Sequence, residues 1–315
     1  MTVAEPLPGE HHAPDRAHLD SGLLFSLVAA ASFSTSGTLA SGLLTAGWTP
    51  SLAVTLRIAI AALVLLPMTI RAVHGQWHLL RSNAQTIIAY GVLAVALPQT
   101  CYFFAVQRLP VGPAILIEYV APLVVLVWQW AVHGQRPTKL TITGSAVAVA
   151  GLLLVIGISA DTALDPIGVL WATGGMFGAA AYFILSAKPD TGLPPMALAG
   201  GGLGAGGLLL FVLGLVGVLP FKTGDAVAHY GAWTVPSWVG LLALGLVSAA
   251  LAYSAGIAAT RRLGSRLASF VGLIEVVFAF TWAWLLLGQT PTLVQAGGAV
   301  LLLIGVAVVK TGEPD

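Results

Sequence analysis

Charge is scarce in this 315-residue chain: Lys, Arg, Asp and Glu together make up 8% of it. A soluble domain carries about 25%, so an ordinary water-facing fold is excluded. The 13 basic residues nearly balance the 12 acidic ones, which leaves no basic field for nucleic acid. A single cysteine, Cys101, cannot build a disulfide framework. Catalytic signatures are missing as well. There is no H-E-x-x-H, no G-x-S-x-G and no P-loop, which removes metalloprotease, hydrolase and on-chain ATP hydrolysis from consideration. No enzyme activity and no cofactor is expected. His74 and His78 have the i, i+4 spacing of a metal pair on a helix, but Gly75 and Trp77 beside them favour an interfacial loop. The first residues hold Glu5, Glu10, Asp15 and Asp20 and lack the basic start of a secretory signal. The first apolar stretch is therefore expected to be retained.

What the chain has instead is hydrophobicity: 57% of residues, with mean hydropathy +0.94. A helical crossing needs about 20 apolar residues. Breaks at Pro, Gly and charge predict ten spans, at 22–44, 51–73, 85–107, 111–133, 140–158, 167–187, 195–219, 238–260, 267–287 and 293–309. The short alternating strands of a membrane β-barrel are absent. Gly174, Gly178 and the glycines of 200–207 suit close helix packing, which in lipid replaces the hydrophobic drive. With the N-terminus inside, the cytoplasmic segments hold Arg16, Arg71, Arg81, Arg136, Lys139, Lys188, Arg261, Arg262, Arg266 and Lys310. External loops hold Arg108 and Lys222. The positive-inside rule then places both termini in the cytoplasm.

The second half repeats the first. Residues 109–151 lie on 263–305 without a gap, an offset of 154. Trp128 and Trp130 fall on Trp282 and Trp284. Gly134, Gln135, Pro137 and Thr138 fall on Gly288, Gln289, Pro291 and Thr292, and Gly144 and Gly151 on Gly298 and Gly305. Five spans per half is an odd number, so the second half enters the membrane upside down. The expected fold is an all-α integral membrane protein of ten transmembrane helices in two inverted five-helix repeats. A tail at 1–20, a first repeat at 21–160, a second at 161–310 and a tail at 311–315 divide the chain. Inverted repeats around a central site are the architecture of secondary transporters.

The motifs of the two blocks are R-L-P-V-G at 108–112 with R-R-L-G at 261–264, and Ala121-Pro122. To these are added aliphatic–Trp helices ending in Gly-Gln, and Gly-rich closing helices at 144–156 and 297–308. Together with P-S-L-A-V-T-L-R at 50–57, they resemble the EamA-type repeat of the drug/metabolite transporter superfamily, over about residues 20–310. The resemblance implies a ten-helix bundle with spans three, four, eight and nine around a central cavity. Two departures stand out. Glu275-Val276 replaces the family's frequent Glu-Pro, so no proline marks the expected helix break. Gln135 and Gln289 stand where the family often has Glu.

Glu118 and Glu275 are the acids within the predicted spans, and Arg57 is the base. A charge at mid-bilayer costs roughly 2.5–3.5 kcal/mol on insertion scales, so such residues mark sites. Counting about 1.5 Å per residue from the helix ends gives an outer polar layer of Arg57, Gln99 and Glu118. An inner layer holds Tyr253 and Glu275, and Tyr253 is the counterpart of Gln99. Arg57 and Glu118 are open to three readings: a structural ion pair, direct substrate contact, or an Arg that caps carbonyls freed by a helix break. Glu275 lacks a same-depth base, which suits a proton carrier; a Glu facing a watery crevice is the plainer alternative. Tyr102, Tyr119 and Tyr182 either line a cavity or pack helices. Pro98, Pro113 and Pro122 can unwind helices toward a ligand. The four tryptophans fit an interfacial belt.

The site expected for substrate binding or coupling is thus Arg57, Gln99, Tyr102, Glu118, Tyr253 and Glu275, with no metal. These observations imply a multi-pass protein of the cell (inner) membrane. It is expected to export a small metabolite such as an amino acid by alternating access, with protons as candidate partners besides substrate and lipid bilayer. So few buried cations argue against polyanions and nucleotide sugars. An uncoupled channel or facilitator is the alternative, and a membrane scaffold or sensor a third.

Overall fold

The computed structural model describes residues 16–109, 111–157, 164–188 and 192–312. Glu5, Glu10, Asp15 and positions 159–163 of the loop joining the halves lie outside them. Among the described residues, nine helical segments are long and apolar enough to cross a membrane. The first half contains α1 (Arg16–Thr45), α2 (Pro50–Ala72), a short α3 (His78–Ser82), and α4 (Ala84–Ala89) joined to α5 (Leu97–Val106) through the π-helical turn Tyr90–Ala96. The pair α6 (Val111–Glu118) and α7 (Ala121–His133) and then α8 (Lys139–Ile156) complete it. In the second half, α9 (Pro166–Ser186) and α10 (Pro195–Leu215) lead to α11 (Ser237–Gly245). The π-helical turn Leu246–Leu251 then carries the chain into α12 (Ala252–Gly272), followed by α13 (Ile274–Leu287) and α14 (Leu293–Thr311).

The ninth predicted span is not one helix. Gly264 adopts φ +76, a left-handed conformation that glycine reaches without steric cost, and turns the chain within α12. The residues that follow form one short helical piece, and α13, of 14 residues, forms another. The break falls between them at Leu273, with no proline present. It closes on itself: Leu273 N–H donates to Phe270 O and Val276 N–H to Leu273 O, both at 3.1 Å. The first half does the same at the α6–α7 break, where Val120 N–H reaches Ile117 O at 3.2 Å and Leu123 N–H reaches Val120 O at 2.9 Å. Tight i→i−3 bonds satisfy the backbone in lipid, so proline is dispensable.

The repeated turns have one geometry. Gly134 and Gly288 cap α7 and α13 in the left-handed region, at φ +68 and +70. Thr138 and Thr292 then cap the next helices, accepting from Thr141 N at 3.1 Å and Gln295 N at 3.3 Å, the usual role of Thr at a helix start. Helix pairing follows the same exchange of halves. α1 packs on α12 as α9 packs on α5; α2 packs on the Leu246–Leu251 turn as α10 packs on Tyr90–Ala96; α2 pairs with α10 and α8 with α14. The α8–α14 contact is backbone on backbone. A Cβ added at Gly151 would lie 2.4 Å from Leu302 N, and one at Gly305 2.3 Å from Ala148 N. Added Cβ atoms at Gly144 and Gly298 would lie 2.7 and 2.8 Å from the opposite helix.

One element departs from the all-α expectation. β1 (Val227–Tyr230) and β2 (Trp233–Pro236) form an antiparallel hairpin closed by Gly231-Ala232, with Gly231 at φ +57. Four residues per strand are too few to register as alternation in a span search. The Tyr230 hydroxyl donates to Leu39 O at 2.8 Å, pinning the hairpin to α1, and burial pushes that phenol's pKa up. The hairpin side also holds the 44–51 turn, since Thr49 N–H bonds Lys222 O at 3.0 Å. On the opposite face, Thr138 and Thr141 hydroxyls bond Gly312 O at 2.9 and 3.2 Å and Gly22 packs on Leu263. The described ends of the chain therefore share a face. Trp128, Trp130 and Trp284 are exposed, whereas Trp282 turns inward and donates to Ala31 O at 3.0 Å. His74 and His78 are exposed; among the described residues no cluster of three metal-ligating side chains occurs.

Candidate functional site

A cavity of about 610 Å³ lies inside the bundle. All six expected site residues line it, from both halves of the chain. The separation into outer and inner layers does not hold. Gln99 on α5 and Tyr253 on α12, counterparts at the 154-residue offset, come within hydrogen-bonding reach of each other. Both helices follow a π-helical turn, and α12 runs on to the Gly264 turn. Depth counted from the predicted helix ends therefore does not separate these two side chains.

The two acids come from the two broken helices. Glu118 ends α6, and Glu275 sits in the first turn of α13. The Glu118 carboxyl rests against Gly175 of α9, where an added Cβ would lie 3.8 Å from its carboxyl carbon. The Tyr119 hydroxyl, at the α6–α7 break, is within hydrogen-bonding reach of Glu275. Glu118 and Arg57 are the charged neighbours that act on Glu275 through space.

Arg57 does not pair with Glu118. Its Nη1 donates to Ser36 Oγ and its Nη2 to Ser248 O, each at 2.8 Å. Its Nε is buried without a partner. Among the described residues the ion pair found is Arg108–Asp165 at 3.7 Å, on the surface. The two residues were matched by depth alone; rotation about the helix axis, which depth does not report, decides which side chains meet.

Helix α1 was missing from the expected lining. It contributes Ser26, Phe33, Ser34, Ser36, Gly37 and Ser41. The run S-F-S-T-S-G-T at 32–38 is unusually polar for a lipid-facing span, and that was the available signal. Phe33 also anchors an aromatic group in the wall. Its ring meets Tyr253 at 5.0 Å and Tyr182 at 6.0 Å, both edge-on, and Tyr182 meets Tyr253 at 5.7 Å. Tyr102, Tyr119 and Tyr182 all line the cavity. The Tyr182 hydroxyl and the Thr100 hydroxyl are buried without partners.

On the face shared by the chain's described ends, the Gly264 corner is tied down. Gln129 Nε2 donates to Ser265 Oγ at 2.5 Å. Arg266 donates to Gln135 at 3.2 Å, and Arg262 stands 4.6 Å over the Phe25 ring. Toward the other face the cavity lining reaches Leu44, Pro50 and Ser51.

A helical membrane bundle around a mostly apolar cavity, with a few charged and hydroxyl groups drawn from both halves, has the architecture of the small-molecule transporters. The family model described as the EamA-like transporter family matches residues 20–157 and again 166–311, and the chain belongs to that family. The threonine/homoserine exporter RhtA of Escherichia coli K12 is 28% identical over 284 residues, covering 89% of this chain and 88% of its own length. The pseudopaline exporter CntI of Pseudomonas aeruginosa is 26% identical over 230 residues, covering 71% and 74%. One solved crystal structure covers 92% of this chain and 98% of its own with a TM-score of 0.73. At 18% identity that likeness shows the fold alone.

Proposed function

We propose that the chain is a secondary exporter, not an enzyme, that moves a small metabolite of the amino-acid class by alternating access, coupled to protons. Ten membrane helices in two inverted five-helix repeats, at 21–160 and 161–310 between short tails, form the working unit. The observation that carries this reading is the convergence of Gln99, Tyr102 and Glu118 from one half and Tyr253 and Glu275 from the other on one cavity. A cavity at the junction of two related halves opens to either side as the halves exchange conformations. The exchange of helix pairings between the two halves supports the repeat. The exporters among the relatives support the direction and the size of the substrate.

Purified protein in sealed liposomes, loaded with labelled L-threonine, tests the function. Flux should require the protein and accelerate under an opposing pH gradient. Gradient-independent equilibration would mean a facilitator instead. Absence of flux for a panel of amino acids would reject the substrate class.

The inner membrane holds this unit with both termini in the cytoplasm, on the strength of the loop charges. The hairpin then faces outward. Ala232→Cys on a Cys101→Ser background should react with an impermeant thiol reagent added to intact cells. Labelling that needs broken membranes would invert the topology.

A further inference from the structure

Arg57 is buried at the cavity wall, where a lone base would ordinarily be taken for the ligand of a substrate's anion. Its bonds point elsewhere. A bidentate clamp on a carboxylate uses two adjacent N–H groups of the guanidinium fork. Here one N–H of Nη1 is held by Ser36 on α1 and one of Nη2 by the carbonyl of Ser248, and the Nε–H, without a partner, is buried away from the open cavity, so the side-on fork is closed to a ligand.

Ser248 lies within the π-helical turn Leu246–Leu251. Such wide turns are poorer in hydrogen-bond geometry than the α-helix and recur at functional sites. A carbonyl oxygen has a second lone pair to offer, and Arg57 takes it at Ser248. The backbone is close too: a Cβ added at Gly245 would lie 3.4 Å from Arg57 O. The side chain thus spans from α2 across the wide turn while its helix presses on the turn's start.

The other half has the same turn with a different brace. Ser248 corresponds to Ala94, and the residue that meets Gly91 as Arg57 meets Gly245 is Gly202, so no guanidinium is available there. Instead Gly91 and Gly206 bring the Tyr90–Ala96 turn and α10 backbone to backbone. Added Cβ atoms would lie 2.7 Å from Gly202 O and from Gly91 O respectively. One wide turn is held by glycine packing, the other by a charged side chain.

Directly after the Arg57-held turn, the chain delivers Tyr253, five residues beyond Ser248, to Gln99 and to the rings of Phe33 and Tyr182. We propose that Arg57 is a positioning residue: it fixes the Leu246–Leu251 turn, and through it Tyr253, and is not the ligand of the substrate's anionic group. The inference rests on the transport reading for one of its two readouts only.

The first readout is amide hydrogen exchange by mass spectrometry, on protein in lipid nanodiscs. Arg57→Gln should speed exchange across residues 246–253 by at least about tenfold, the equivalent of one charge-assisted hydrogen bond, and leave residues 90–96 unchanged. Arg57→Lys keeps the charge with a single ammonium and should give a smaller increase in the same segment. Ser36→Ala, which spares the Ser248 bond, should give less still. Unchanged exchange at 246–253 in a folded Arg57→Gln protein would overturn the proposal. The second readout compares L-threonine with L-threonine methyl ester, which lacks the carboxylate, as competitors for uptake into proteoliposomes. A positioning role lowers the maximal rate for threonine and leaves the preference between the two unchanged. Loss of that preference, through weaker threonine binding alone, would make Arg57 the anion ligand and refute the proposal. Failure of the wild-type protein to move threonine would count against the substrate class, and the exchange measurement would still decide the role of Arg57.

Discussion

Glu275→Gln is expected to insert and fold normally yet lose all accumulation of substrate against its gradient. Exchange of substrate for substrate at equal pH should continue. The reason is the position of the carboxyl. It stands in the first turn of α13, immediately beyond the break at Leu273, and lines the same cavity as Glu118, Tyr119 and Arg57. Tyr119 from the first half reaches it, so a proton held there lies between the two halves. A difference of one pH unit is worth about 1.4 kcal/mol per proton and roughly a tenfold concentration ratio. Proteoliposomes with that gradient imposed should show the ratio with wild-type protein and none with the variant. A variant that still concentrates substrate would leave Glu275 as part of the wall. Gln keeps the size of the side chain and its ability to meet Tyr119, so the loss, if found, belongs to the proton.

Gly151→Leu should be strongly destabilising although it lies outside the cavity. Position 151 has no room: the first carbon of any side chain would sit 2.4 Å from a backbone nitrogen of α14, and backbone cannot step aside as a flexible side chain can. Overpacking of this kind costs roughly 1–3 kcal/mol and at times more. Gly305→Leu, at the counterpart position, should do equal harm. Gly204→Leu is the control, since nothing lies within 4 Å of that site and leucine is the better helix former by nearly 1 kcal/mol. Thermal unfolding in detergent should show a marked fall in midpoint for the first two and no fall for the third. Equal midpoints for Gly151→Leu and Gly204→Leu would mean that α8 and α14 are not in backbone contact.

Much of this architecture was legible in the residues. The ends of α7 and α13 were written in Gly-Gln-x-Pro-Thr, because only glycine turns left-handed without cost and threonine caps the helix that follows. Five of the six residues expected at the cavity were marked by their cost in lipid or by their register with one another, and Tyr102 only by its place within a span; all six line the cavity. The break before Glu275 was not legible, because it depends on short-range backbone bonds that any residue type can make. The partners of Arg57 were not legible either, because a span's composition carries depth but not the rotation that aims each side chain. The lining role of α1 is written in its Ser-rich centre, outside the spans to which the resemblance points. The hairpin escaped for a different reason: its strands are shorter than the window in which alternation becomes visible.

The four glycines of α8 and α14 bear on how the halves can move. Two helices in backbone contact at Gly144, Gly151, Gly298 and Gly305 interlock along their length like the teeth of a rack. Sliding one half past the other, toward either side of the membrane, would drive the flanking side chains of each helix onto the other's backbone. Rotation about the crossing leaves the contact intact. Of the two forms of domain motion, hinge and shear, the glycine contact permits the first and obstructs the second. Under the proposed transport cycle, the walls that meet the substrate would tilt around a stationary axle, and no travelling domain would carry it through the bilayer.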